Sequence, residues 1–219
     1  MNRQVLLRKI MGVGDEVRRL EQDMIALQSI DVVTYPENYS NLSQQATSRS
    51  EAISRKLREL IYVTTNISKA EYLVNAANDI GISITVDSNG IIEITLPCLI
   101  PHRRKKATGF ITEPLFAVLN KFVSDYPLST PFERFEHCVI CITHVYDKVL
   151  YAKMRMRDHE NIEIKGIVDV INTFLLTDDS GDLCSIFNTS EFSDEDMTRI
   201  SIMKKDMFHE WVLRYKNRP

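Results

Sequence analysis

The spacing of the apolar residues changes at Gly81, and this change constrains the fold more than any other feature of the sequence. Before Gly81, apolar side chains recur at intervals of four and three, which is the period of one helix face. After it they alternate with polar side chains, which is the period of a strand with one buried face. We therefore predict an α+β protein of two parts: a coiled-coil-like helical hairpin over residues 1–80, and a mixed α/β domain with a small, mostly antiparallel sheet over residues 81–219.

Two heptad-like seams lie in the N-terminal part. Each repeats at the 4-3 spacing that is typical of paired helices. A segment that contains Pro36 separates them. The simplest arrangement is an antiparallel hairpin, and the spacing leaves open both pairing with a second copy and packing as ordinary helices on the sheet. The first seam consists of Leu6, Ile10, Val13, Val17, Leu20, Met24 and Leu27, and the second of Ile53, Leu57, Leu60, Thr64 and Ile67.

The second part carries the signals of a small sheet with covering helices. Ile82–Val86 and Ile92–Leu96 alternate around a turn that ends at Gly90, which predicts a β-hairpin. A helix with Pro114 in its first turn follows. The remaining predicted elements are strands at His137–Val145, Val149–Met156, Leu183–Phe187 and Thr198–Met203, and helices at Ile162–Phe174 and Asp206–Tyr215.

The apolar runs, the N-terminal segment and the cysteines argue against a membrane protein or a secreted protein. No apolar run approaches the roughly 20 residues of a membrane span, and the N-terminal segment lacks the apolar core of a secretory signal. Four cysteines do not make a disulfide framework in a chain of 219 residues, so we expect a cytoplasmic protein without membrane contact. Cys138 and Cys141 lie inside a predicted strand and should face opposite sides of the sheet, as core residues instead of zinc ligands.

Basic residues are clustered in two places although the net charge is −3. With this charge, any binding of nucleic acid must come from local clusters. Alternate residues of the predicted strand Val149–Met156 share a face, so the cations there point together. They suit DNA phosphates, the carboxylates that follow them, or solvent. The clusters consist of Lys153, Arg155 and Arg157 along this strand, and of Arg103, Arg104, Lys105 and Lys106 in a loop.

A group of carboxylates follows the second cluster of cations. If the strand continues, Asp158 and Glu160 lie on one face, roughly 6–7 Å apart. Asp178 or Asp179, just past the next helix, would then fold back beside them. An all-carboxylate site prefers Mg²⁺ or Mn²⁺, and Lys165 would stabilise a developing negative charge there. The alternative is that these are ordinary exposed acidic residues near loops.

The same segment resembles the motif of the RusA-type Holliday-junction resolvases. That family has two acidic residues and an Asn at the end of a strand, a Lys on the next helix, and then an Asp–Asp pair. The likeness extends over about residues 94–203 and departs from the family at Glu160, where an Asp is usual, and at Lys165, which comes one position later. The matching residues are Ile94–Pro97, Arg157, Asp158, Glu160, Asn161, Lys165, Asp169–Ile171, Asp178 and Asp179.

The resemblance implies a RusA-like fold and a Mg²⁺-dependent endonuclease of DNA recombination and repair, acting as a homodimer on four-way junctions. It assigns metal binding to Asp158, Glu160 and Asp179, and the role of catalytic lysine to Lys165. The basic clusters would hold flanking phosphates of the branched DNA. The alternative is a catalytically inactive RusA-like scaffold that serves as a protein-interaction or DNA-binding module through its N-terminal helices.

Overall fold

The computed structural model is a mixed α+β fold, and it describes residues 3–101, 109–151 and 158–216. The chain divides into two compact units, Met1–Lys69 and Ala70–Pro219. This differs from the predicted boundary after residue 80 by one helix, α3, because Ala77 of α3 is buried in the core of the sheet. The elements are α1 (Arg3–Ser29), α2 (Pro36–Thr64), α3 (Lys69–Asp79), β1 (Ser83–Val86), β2 (Ile92–Leu96), α4 (Gly109–Ser124), β3 (Cys138–Asp147), α5 (Lys148–Tyr151), α6 (Lys165–Leu175), β4 (Cys184–Ser193), β5 (Met197–Lys204) and α7 (Phe208–Lys216).

The first unit is a hairpin of two long helices. A short loop joins α1 to α2, and in it the Val33 amide donates a hydrogen bond to Asp31 Oδ1 at 2.9 Å. Pro36 opens α2, where its fixed φ suits the first helical turn and its missing N–H leaves no bond unmade. The loop therefore reverses the chain between two helices that pack side by side.

Two ion pairs lie between α1 and α2. Asp23 Oδ2 is 2.7 Å from Arg49 Nε, and Glu16 Oε1 is 3.3 Å from Lys56 Nζ. Residue numbers rise along α2 as they fall along α1, so these pairs define an antiparallel register. The four side chains occupy partly buried positions that apolar residues fill in a longer hydrophobic seam.

Few apolar side chains are buried between the two helices. The predicted first seam assigns seven residues to one contact, but Ile10, Val17 and Met24 are exposed on another side of α1. Charged residues take their place toward α2. The apolar residues that the hairpin buries are Val13, Ala46 and Ile53.

The second unit is built on a five-stranded sheet with the order β1-β2-β5-β3-β4. Neighbouring strands are antiparallel except β3 and β4, which are parallel. The predicted hairpin of β1 and β2 is confirmed, and Gly90 adopts φ +76° in its turn, a conformation that glycine reaches without strain. The sheet is therefore mostly antiparallel, as predicted from the alternating pattern.

Helices cover both faces of the sheet. Ile140 of β3 packs in a cluster with apolar residues of α4 and α6, whereas its neighbour Cys141 packs with Trp211 of α7. Cys138 belongs to the first cluster and Cys141 to the second. The prediction that the two cysteines are core residues on opposite faces is therefore confirmed.

Three predicted elements differ from the structure. The residues after β3 form the short helix α5 and not the start of a strand at Val149–Met156, and residues 152–157 lie outside the described residues. Asp158 is the N-cap of a 3-10 turn at His159–Asn161, so it does not continue a strand. β4 extends to Ser193, beyond the predicted Phe187, because β3 pairs with it along its whole length.

Across the parts of the chain that the structure describes, no helix is both long enough and apolar enough to cross a membrane. The cytoplasmic location stays a prediction.

Cysteine reactivity provides a test of the core. Burial raises the pKa of the Cys141 thiol from 9.0 to about 12, which lowers its thiolate fraction about a thousandfold at neutral pH. Because the thiolate is the nucleophile, we expect iodoacetamide at pH 8 to modify the half-buried Cys98 much faster than Cys141 in the folded chain. Peptide mapping by mass spectrometry measures both rates. Equal rates in the folded state would contradict the burial of Cys141, and unfolding in urea should make them equal.

Candidate functional site

Two of the predicted metal ligands lie together at the end of β3. Asp158 Oδ1 accepts a hydrogen bond from the Glu160 amide at 3.2 Å, which caps the turn at His159–Asn161. Both side chains are exposed. Lys165 is the first residue of α6, and its Nζ lies 3.5 Å from Asp169 Oδ2. The carboxylate of Asp158 is therefore used by the backbone of its own turn.

The third predicted ligand lies at the opposite edge of the sheet. Asp179 comes after α6 and shortly before Cys184, the first residue of β4. Because β3 and β4 are parallel, the start of β4 lies beside the start of β3 and not beside its end. α6 crosses back between these edges, and its 11 residues span about 16 Å. Asp179 is thus separated from Asp158 and Glu160 by the length of the helix.

The predicted site of three carboxylates is therefore not assembled. Within the described ranges, no group of three or more His, Cys, Asp or Glu side chains is placed to hold a metal ion. The expectation that the end of the helix returns to Asp158 fails because a crossover helix runs antiparallel to the strands that it connects. Cleavage of branched DNA with Mg²⁺ or Mn²⁺ stays a prediction of the sequence, and the placement of these carboxylates gives it no support.

All seven predicted DNA-binding residues lie outside the described residues. They are Arg103, Arg104, Lys105, Lys106, Lys153, Arg155 and Arg157. Their predicted contacts with phosphates therefore stay predictions.

The structure brings together two histidines to which the sequence analysis gave no role. His159 Nε2 lies 2.8 Å from Ser190 Oγ of β4, and the ring of His159 lies 5.1 Å from that of the buried His144. These contacts attach the turn at His159–Asn161 to the sheet. The signal in the sequence is His144, a polar residue within the mostly apolar run of β3, because a buried polar side chain usually has a polar partner.

A second apolar surface runs along α1, away from α2. We call it the α1 stripe. Its side chains are between 46% and 68% exposed, and Gly14 lies among them with open space where a Cβ would be. Arg18 and Glu21 are the charged residues on the same side of the helix. The stripe consists of Leu7, Ile10, Met11, Val17, Met24 and Ile25.

The remaining side of α1 is polar. It carries Gln4, Arg8, Asp15, Arg19 and Gln22, all exposed. α1 therefore has three different sides: one toward α2, one apolar and exposed, and one that is hydrophilic. A helix that packs on one neighbour needs an apolar side toward that neighbour and polar sides toward solvent. An exposed apolar side such as the α1 stripe is therefore unusual on a free surface.

The two ends of the hairpin carry opposite charge. The register of the two ion pairs puts residues 20–29 of α1 level with residues 43–52 of α2, and residues 3–12 level with residues after 60. The loop end, residues 20–52, contains five acidic residues and one basic residue, whereas the open end, formed by residues 3–12 of α1 and 60–64 of α2, contains three basic residues and no acidic residue. The charged residues of the loop end are Glu21, Asp23, Asp31, Glu37, Arg49 and Glu51, and those of the open end are Arg3, Arg8 and Lys9.

These features describe an α+β protein with an open, mostly antiparallel sheet and an N-terminal helical hairpin with an exposed apolar surface. The chain belongs to DUF6100, a family of unknown function whose model matches residues 2–219. No curated protein matches the chain.

Two solved structures show weak similarity to the chain. The periplasmic domain of Helicobacter pylori MotB (residues 90–256) is 12% identical, with 64% of this chain and 91% of that chain covered and a TM-score of 0.31. A putative translation initiation inhibitor from Salmonella typhimurium is 9% identical, with 56% and 88% covered and a TM-score of 0.22. Similarities at these TM-scores carry no argument about fold or function.

The predicted membership in the RusA-type resolvases is wrong. The DUF6100 model spans nearly the whole chain, including the N-terminal helices that have no counterpart in the resolvase motif. The resemblance rested on a few charged residues, and α6 separates the two ends of that motif.

Proposed function

We propose that this chain is a non-catalytic interaction protein, and that the α1 stripe is its binding surface for an α-helical protein partner. The α1 stripe is the observation that supports this proposal, because contiguous exposed apolar side chains on a helix mark a contact with another apolar surface. A helical partner fits a narrow stripe whose apolar residues recur at helical spacing.

The chemistry of the stripe favours protein over DNA as the partner. DNA affinity comes chiefly from cations that neutralise phosphates, whereas the stripe is apolar and its only cation is Arg18. Arg18 already pairs with Asp15 of the same helix.

Catalysis by the predicted carboxylates is not needed for this function. We expect the wild-type chain and Asp158→Asn both to leave a synthetic four-way DNA junction uncut in Mg²⁺ or Mn²⁺. Asp158 and Glu160 are two exposed carboxylates on one turn, too few for a site that keeps an ion in place beside a phosphate. Denaturing gels measure cleavage, with a metal-dependent nuclease as positive control. Cleavage by the wild type that Asp158→Asn abolishes would contradict the proposal.

The binding surface is tested by chemical labelling inside cells of the source organism. In a Cys98→Ser background, we expect a permeant maleimide to label Ile10→Cys, on the stripe, several times more slowly than Gln22→Cys, on the polar side. The difference should disappear in the purified chain at high dilution, where partners dissociate. Equal labelling rates in cells would show an uncovered stripe and would overturn the proposed function.

A further inference from the structure

We infer that the partner of the α1 stripe is a second copy of this chain, packed so that the two α1 helices run antiparallel and the two hairpins form a four-helix bundle. This inference rests on the proposed function, since it names the helical partner of the same surface. The spacing of the stripe, the distribution of charge and the low apolar content of the hairpin interior each support it.

The spacing of the stripe is self-complementary. A two-fold axis beside Val17 brings Ile10 of one copy level with Met24 and Ile25 of the other. A two-fold contact uses the same surface of both copies, so each of these apolar pairs occurs twice. Gly14, which has no atom within 4 Å of an added Cβ, lies within this contact and allows the two backbones to approach closely.

The charge of the hairpin selects the antiparallel orientation. Antiparallel packing places the acidic loop end of each hairpin beside the basic open end of the other. Parallel packing would place three basic residues beside three more at one end and the acidic ends together at the other. Opposite charges at these distances attract weakly in water and are screened by salt, so they determine the orientation while the apolar contact provides the affinity.

The interior of a single hairpin is too small to hold it folded without help. Three buried apolar side chains and two ion pairs lie between helices of 27 and 29 residues. Helical stability in proteins comes mostly from packing of an apolar face, and a four-helix bundle supplies a core that two helices lack. A second copy provides this core by covering both stripes at once.

The mass of the purified full chain in solution tests the inference. Light scattering after gel filtration should give twice the 25.3 kDa of one chain. Ile25→Lys puts a cation on the stripe, beside the basic open end of the second copy, and should weaken the dimer at least tenfold. Gln22→Lys adds the same charge at the same end but on the polar side, and should leave the dimer unchanged. Circular dichroism checks that all three chains keep the same helix content.

The orientation is tested by cross-linking with a short bismaleimide in the Cys98→Ser background. Val17→Cys of one copy should cross-link to Val17→Cys of the second copy, because both residues lie beside the two-fold axis. Ile10→Cys alone should not, but a mixture of Ile10→Cys and Met24→Cys should. Efficient cross-linking of Ile10→Cys to itself would overturn the antiparallel arrangement.

The remaining outcomes separate this inference from the proposed function. A wild-type chain that stays at 25.3 kDa, at the highest concentration that it tolerates, overturns the second copy as partner. If Ile10→Cys is nevertheless protected in cells, the proposed function stands with another helical partner. A dimer that Ile25→Lys and Gln22→Lys leave equally intact uses a different surface and also overturns the inference.

Discussion

Replacing Ile140 by alanine lowers the free energy of unfolding of the second unit by about 3 kcal/mol, within the range for large-to-small changes in a core. Ile140 is fully buried in the middle of β3, between the sheet and the helices α4 and α6. The substitution removes buried methyl and methylene groups and leaves a cavity. Urea unfolding measures the loss through the fluorescence of Trp211, the single tryptophan, which is buried in the same unit.

Ile186 provides a matched control for this prediction. It is the register partner of Ile140 on the parallel strand β4, but it is 44% exposed where Ile140 is 0% exposed. Because the burial of Ile186 is partial, Ile186→Ala should lower the free energy of unfolding by less than about 1 kcal/mol. Equal losses for the two substitutions would contradict the arrangement of the sheet.

Replacing Arg49 by methionine destabilises the helical hairpin by about 3 kcal/mol, because it leaves the carboxylate of Asp23 without its cation between α1 and α2. Hydrogen exchange of the backbone amides of α1 and α2 measures the effect, since Trp211 lies in the other unit. The double substitution Asp23→Leu/Arg49→Leu should recover most of the loss, because it removes both charges and adds apolar contact.

Arg19, on the polar side of α1, is the control for the hairpin. Its guanidinium lies 4.0 Å from Glu16 of the same helix, and the Arg19 side chain is largely exposed. Surface pairs of this kind contribute about 0.5 kcal/mol or less, so Arg19→Met should leave the exchange rates of α1 nearly unchanged. A loss of hairpin stability as large as that of Arg49→Met would show that the Asp23–Arg49 pair contributes no more than an exposed pair.

Periodicity was sufficient to predict the elements whose pattern is strong. The alternation around Gly90 predicted β1 and β2, because a strand with one buried face requires a fixed period of two. The mostly apolar run after His137 predicted β3, which is buried on both faces. The 4-3 spacing likewise predicted the two N-terminal helices. Each of these predictions depends on residues close together in the chain.

The arrangement of the strands was not predictable in the same way. β5 lies between β2 and β3, and its register partners are 102 to 110 residues away on β2 and 52 to 66 residues away on β3. Pairings between such distant residues are slow to form. The direction of α6 follows from the parallel pairing of β3 and β4, which no local pattern specifies. Without that direction, Asp179 could be assigned to either edge of the sheet.

The exposure of the α1 stripe was not predictable from the sequence for a different reason. A repeat of four and three residues describes a broad apolar sector, and the pattern does not say which part of the sector meets the neighbouring helix. In the structure Val13 faces α2, while Ile10 and Val17 do not. Glu16 and Asp23 distinguish the side of α1 that faces α2, because their carboxylates pair with cations of α2.

The strand that joins the two halves of the sheet is the last of the five strands to be synthesised. Until Met197–Lys204 has left the ribosome, the pair β1–β2 and the pair β3–β4 share no hydrogen-bonded neighbour. Until then β2 and β3 of the nascent second unit each lack β5 as a hydrogen-bonding partner. Such unpaired strand edges favour mispairing and chaperone binding. The hairpin of α1 and α2, which is complete far earlier, is free to find its partner while the rest of the chain is still being translated.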